Sequence, residues 1–175
     1  MFPELSTERF LLTQVCLSDQ AFLFEGLSDP EAMPYNGVYF ESFEETKKQL
    51  DWYDKNYLEG KGISWKVVDK ISSESIGVIS VYAYKKEHNK AELGYWLLPR
   101  FWGKGIATEV LPSVIQFWQN EKGLHRLEAF IELENEGSIR LLENAGFVRE
   151  GTMRDCEIKF GRYISLYIYA LINEV

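Results

Sequence analysis

The chain has 175 residues, 46% of them hydrophobic and 15% aromatic, and a net charge of −8 from 27 acidic and 19 basic side chains. That length and apolar content suit one domain, residues 1–175, burying roughly 70% of its unfolded surface, and they exclude a disordered or fibrous chain. The acidic balance argues against general nucleic-acid binding, which neutralises phosphates with Lys and Arg, and fits cationic partners such as amines, polyamines or basic peptides.

In chain order, "MFPELSTERF" lacks the basic start and apolar core of a signal peptide, and no later run approaches the ~20 apolar residues of a membrane span. A cytoplasmic protein without membrane contact is expected. "RFLLTQV" (9–15) reads as an opening strand, and "SDQAFLFEGLSD" (18–29) as a short helix capped by Ser18. "DPEAMPYNGV" is loop, with two prolines and an Asn-Gly. Residues 43–60 form a charged helix ended by Gly60 and Gly62. Strands follow at 64–70, 77–84 and 90–98. Residues 106–123 are helical, with Pro112 expected to kink the helix by removing the bond to the Thr108 carbonyl. A strand at 125–133 precedes a helix at 135–146, capped by Asn135 and ended by Gly146. "FVREGTMRD" and "RYISLYIYALI" close the chain as an antiparallel pair. The pattern is α+β, a mainly antiparallel meander, then strand–helix–strand–helix, then a hairpin.

Cys16 and Cys156 form no CxxC and read as free thiols; His88 and His125 belong to no HExxH or Cys/His cluster, so no metal is expected. His125 reads as structural. The alternation of Tyr163, Tyr167 and Tyr169 with Leu and Ile fits a half-buried strand better than a catalytic tyrosine.

The informative stretch is "LPRFWGKGIAT" (98–108), where an acidic chain concentrates Arg100, Gly103, Lys104 and Gly105 between a strand and a helix. It fails the GxxxxGK[ST] phosphate loop, because Gly105 follows Gly103-Lys104, and it lacks the third position of GxGxxG. What remains is an amide-rich turn feeding a helix N-terminus, with Arg100 and Lys104 as nearby charge: an anion site. The alternative is a tight turn whose glycines serve only its dihedrals.

"RFWGKG" resembles the R/Q-x-x-G-x-G/A signature of the GNAT superfamily of acetyl-CoA-dependent N-acetyltransferases. With "TERFLL", "SDPEAM", "AELGYWLLPRFWGKGIATEVL", "GLHRLEAFIELENEGSIRLLENAGFVREGTMRD" and "GRYISLYIYAL", the chain is similar over nearly its whole length to the RimJ/RimL-type branch, which acetylates protein N-termini, notably of ribosomal proteins. The resemblance implies a mostly antiparallel mixed sheet of about seven strands flanked by helices, with splayed central strands. It also implies that the anion is the pyrophosphate of acetyl-CoA, held on Trp102, Gly103, Lys104, Gly105, Ile106, Ala107 and Thr108. The pantetheine arm would lie along the strand ending at Trp96, Leu97 and Leu98, with the amide of Leu97 or its neighbour facing the thioester oxygen and Asn135 holding the arm from the other side.

Acetyl transfer requires a neutral amine, a donor for the oxyanion and a proton for the leaving thiolate. From the residues alone, Ser138 is part of a cap; the resemblance makes it the acid that protonates the thiolate. Glu157, in the pattern Glu150-Gly151 through Glu157, is implied as the general base, with Asp155 as fallback. Relatives often carry Asp near Ser165, and this chain does not. The acceptor is expected to be a protein or peptide N-terminus, recognised by the loop "DPEAMPYNGVYF", the helix after it and the closing hairpin. Glu31, Glu41, Glu44 and Glu45 there either attract a cation or simply solvate a helix start. A small-molecule amine acceptor and a non-catalytic acetyl-CoA-binding module are the rival readings, and an exposed sheet edge is compatible with a homodimer.

Overall fold

The computed structural model describes residues 1–174. Its strands are β1 (Leu5–Ser6), β2 (Phe10–Gln14), β3 (Ile63–Asp69), β4 (Ser75–Lys85), β5 (Lys90–Leu97), β6 (Arg126–Glu132), β7 (Val148–Lys159) and β8 (Arg162–Ile172). They form one sheet in the order β1-β2-β3-β4-β5-β6-β8-β7, eight strands rather than about seven, because residues 5–6 add a short edge. Every neighbouring pair is antiparallel except β5 and β6, which are parallel. That exception follows from the helix between them, since a parallel pair needs a long crossover.

The helices are α1 (Gln20–Leu27), α2 (Lys47–Leu58), α3 (Ile106–Lys122) and α4 (Glu136–Asn144). The first start differs from the sequence expectation. Ser18 does not cap it; a 3₁₀ turn spans Leu17–Asp19 and the Asp19 carboxylate accepts from the Cys16 amide at 2.7 Å. Its other oxygen holds Lys66 Nζ at 2.6 Å, so the acid that anchors the turn also pairs a largely buried lysine. α3 runs as one helix through Pro112, its apolar positions Ile106, Val110, Val114 and Trp118 falling on one face at the spacing of a buried stripe.

The two faces of the sheet carry separate cores. On one, α3 and Leu142 of α4 pack against Trp65, Val67, Leu93, Leu127 and Tyr169. On the other, Leu23 of α1 and Leu50 and Tyr53 of α2 pack around Val78, with Trp96 against them. Gly26 lets α1 approach closely, since a Cβ there would meet Trp96 Cη2 at 2.7 Å.

Candidate active site

The pairing of β5 with β6 lasts only three residues, Lys90–Glu92 against Arg126–Glu128. Beyond it the strands part, and a cleft of about 1040 Å³ opens between the end of β5, the end of β6 and the first turns of α3 and α4. Leu98 N–H donates to Ile76 O at 2.9 Å, and strand alternation therefore turns the Leu97 amide to the opposite edge, into the cleft. The Leu97 carbonyl accepts from Trp102 Nε1 at 2.9 Å, which fixes this end of the strand beside the glycine turn.

That turn is built for backbone amides. Gly103 has φ 70° and Gly105, the residue preceding α3, φ 71°, a left-handed conformation that side chains rarely adopt. The first intrahelical bond runs from Glu109 N to Gly105 O, so the amides of Ile106, Ala107 and Thr108 stand at the positive end of the helix dipole, without carbonyl partners in the turn before them. All three residues line the cleft, as does Lys104. Successive amides of this kind cradle a phosphate group.

Trp96, Leu97, the run Trp102–Thr108, Asn135, Ser138 and Glu157 all line this cleft. Two residues expected with them lie elsewhere. Leu98 is wholly buried in the core. Arg100 points away, its guanidinium held by Glu25 and by Glu74 Oε1 at 2.7 Å, so its charge is already spent on two carboxylates. The turn's cation is therefore Lys104, with Arg9 bracing the loop from outside through the Lys104 and Gly105 carbonyls at 3.4 Å.

On the α3–α4 side of the cleft, Asn135 Oδ1 accepts from Ser138 N at 3.1 Å, so the cap positions the serine in the first turn of α4. Tyr95, which projects from β5 into the same side, lies against it. Burial pushes the Tyr95 phenol up to about 12, partly offset by the neighbouring Ser138 side chain.

The α1–α2 side carries the carboxylates. Glu157 sits after a β-bulge at Met153–Glu157, where Asp155 adopts φ 49° and its amide donates to Ser165 Oγ at 3.0 Å. The bulge re-aims the strand and turns Glu157 into the cleft, whereas Asp155, the fallback base, does not line it. Ser165 thus serves the backbone, and its hydroxyl has a structural task.

Two further groups here escaped the sequence reading. Tyr82 and Glu92 are cross-strand partners on the α2 face, and both line the cleft. Burial, with Glu128 adding, raises the Glu92 carboxyl above its usual range despite Lys85 and Lys90. Burial also pushes the Tyr82 phenol to about 12, with Glu92 and then Glu157 adding to it. The signal was available: a charged residue inside the apolar run "AELGYWLL". The hydroxyls of Ser138 and Tyr95 and the carboxylates of Glu92 and Glu157 therefore face the cleft from opposite sides of the sheet.

The loop between α1 and α2 spans the cleft on the carboxylate side. Lys159 Nζ donates to Pro34 O at 2.6 Å and pairs with Glu132, the Tyr35 and Trp102 rings lie 5.7 Å apart, and Asn36 Nδ2 reaches Gly26 O at 3.1 Å. Glu31, Glu41, Glu44 and Glu45 do not line the cleft; Glu45 pairs with Lys48 at the start of α2, as a solvated helix start would.

The amide cradle and the free Leu97 amide fit acetyl-CoA, which would bring an acetyl group activated as a thioester. Comparison with known proteins agrees. Residues 9–148 match the acetyltransferase (GNAT) domain. The chain is 32% identical over 99% of its length to the N-acetyltransferase YoaA of Bacillus subtilis, covering 98% of that protein. It is 26% identical over 92% of its length to the ribosomal-protein-serine acetyltransferase of Escherichia coli, covering 85% of it. The fold is also that of spermidine N-acetyltransferase from Vibrio cholerae, solved with CoA and spermine, at TM-score 0.82 and 22% identity over 94% of this chain and 95% of that one. The chain belongs to the GNAT superfamily of acetyltransferases.

Proposed function

We propose that the protein transfers the acetyl group of acetyl-CoA to a protein N-terminal α-amino group by direct attack of the amine. The observation that carries the transfer chemistry is the split cleft, with a hydroxyl on one side of the sheet, carboxylates on the other and an unpaired strand amide between them. Glu157 takes the proton from the amine; an α-amino group, with pKa near 7.7–8.0, needs only modest help. The Leu97 amide donates to the oxyanion, and Ser138 gives its hydrogen to the departing sulfur. Asn135 and the amides of Trp102–Thr108 hold acetyl-CoA. Similarity to the ribosomal-protein-serine acetyltransferase along most of the chain supports the protein N-terminus as acceptor.

A second reading keeps the chemistry and changes the acceptor. Two carboxylates, Glu92 and Glu157, beside one phenol would also suit a small amine with more than one positive charge. The test is free-thiol release from acetyl-CoA with peptides bearing Ser, Ala, Thr or Met N-termini, alongside polyamines, amino acids and aminoglycosides. Release with peptides alone supports the proposal. Release with small amines alone replaces it by the second reading, and silence across the panel with intact acetyl-CoA binding points to an acceptor outside the panel or to a non-catalytic binding module.

A further inference from the structure

The Tyr95 hydroxyl is one of two buried side-chain polar atoms without a hydrogen-bond partner among the described residues. The other, Trp118 Nε1, lies in the main core beside Tyr84 and away from the cleft. Tyr95 differs because it lines the cleft, and because the group it approaches is Ser138. An unpaired buried donor is destabilising, and phenylalanine would fill the same space without that penalty. Packing therefore accounts for the ring but not for the oxygen.

We propose that Tyr95 is a positioning residue for the leaving group: its phenol donates to Ser138 Oγ, turns the serine's own hydrogen toward the departing sulfur, and steadies the charge that grows on Oγ as that hydrogen leaves. The proposal rests on Ser138 acting as the acid. In the structure the two side chains are neighbours and the Tyr95 hydroxyl has no formed hydrogen bond, and catalytic hydrogen bonds commonly tighten only around substrate. The ring is held by the core formed with α3, so little freedom is lost when the bond forms. Burial keeps the phenol protonated far above neutral pH, so it remains a donor through the working range. The protons balance. The nitrogen loses one to Glu157 and then to water, sulfur gains the one from Ser138, Ser138 recovers one from water, and Tyr95 keeps its own.

The experiment compares the wild-type protein with Tyr95→Phe, Ser138→Ala and the double variant. The phenylalanine variant is expected to lower kcat by about 10-fold or more while leaving KM and the Kd for acetyl-CoA within about 2-fold. The double variant is expected to be no slower than Ser138→Ala alone, because Tyr95 acts through the serine. Melting temperature should hold or rise in Tyr95→Phe, since an unpaired donor has been removed. Independent losses in the double variant, an unchanged kcat, or a loss carried by acetyl-CoA affinity would overturn the inference.

A second readout needs no acceptor. The thiol of bound CoA, followed by its ultraviolet thiolate absorbance, should titrate higher in Tyr95→Phe than in wild type, by about half a pKa unit, with Ser138→Ala shifted in the same direction. An unshifted thiol overturns the inference even if every acceptor fails, and a shifted thiol supports it even if the acceptor assignment is wrong.

Discussion

At the scale of single residues, the carboxylate side of the cleft works against its own stability. Glu92 titrates above its ordinary range in the fold, chiefly because burial penalises its charge. The native state therefore binds its proton more tightly than the unfolded chain, and stability falls as pH rises from the ordinary value of 4.5 through the raised one. Glu92→Gln is expected to melt higher than wild type near pH 7.5, with the gain vanishing near pH 4, where the wild-type carboxyl is itself neutral. Thermal unfolding at the two pH values checks this, and equal gains at both would refute it. Glu157 carries a different expectation. Glu157→Gln should lower turnover about 100-fold near pH 7 with acetyl-CoA affinity unchanged, and the deficit should shrink at higher pH as the acceptor amine deprotonates unaided. A rate that stays at the wild-type level would remove Glu157 as the base.

At the scale of elements, two backbone devices set the site. One is the start of α3, where Gly105 holds φ 71°. Gly105→Ala places a side chain in the left-handed region at a cost of about 1 kcal/mol and tilts the amides that follow. Calorimetry should record at least several-fold weaker acetyl-CoA binding, well beyond the small drop in melting temperature. The other is the β7 bulge, pinned by the Asp155 amide on Ser165 Oγ. Ser165→Ala removes that acceptor from an exposed strand. The expected outcome is little change in stability, within about 1 kcal/mol, but reduced kcat, because Glu157 is no longer held at one angle. Neither device involves the chemistry directly, and both act by where they aim a group that does.

For the whole molecule, the same splay that makes the cleft leaves two half-sheets, β1–β5 and β6–β8, joined by three residue pairs. Side chains reinforce that seam. Glu128 accepts from Lys90 Nζ at 3.0 Å and Arg126 Nε at 2.7 Å, and Arg126 reaches on to Glu150 Oε2 at 2.5 Å. Burial pushes the Glu128 carboxyl up, yet Arg126 and Lys90 overcome it and hold the group below its usual range. Its contribution is therefore present above the ordinary 4.5 and lost as pH falls through the depressed value. Glu128→Ala should destabilise the protein by about 2 kcal/mol at pH 7, leaving the half-buried Lys90 without a carboxylate and Arg126 with Glu150 alone, and by much less in acid. Denaturant titration at both pH values measures the difference, and a neutral substitution at pH 7 would show that the seam is held by packing alone.

Much of this was determined by the sequence itself. Periodicity and breakers placed every helix and nearly every strand, because those signals are local: Gly60, Gly123 and Gly146 all take positive φ where the elements end. The glycine turn, the Asn135 cap and the Ser138 beside it were legible for the same reason, each being a few consecutive residues with one backbone task. What the tertiary structure decided was which charges remain available. Arg100 and Lys104 look alike in "PRFWGKG", but Glu25 and Glu74, distant in sequence, neutralise only the first. Glu92 reads as one more acidic residue until folding sets it beside Tyr82 at the point where two strands part, and Asp155 and Glu157 are told apart only by a bulge fixed from the opposite strand. Local conformation is written into neighbouring residues, whereas burial and pairing depend on groups that come together only once the chain has folded.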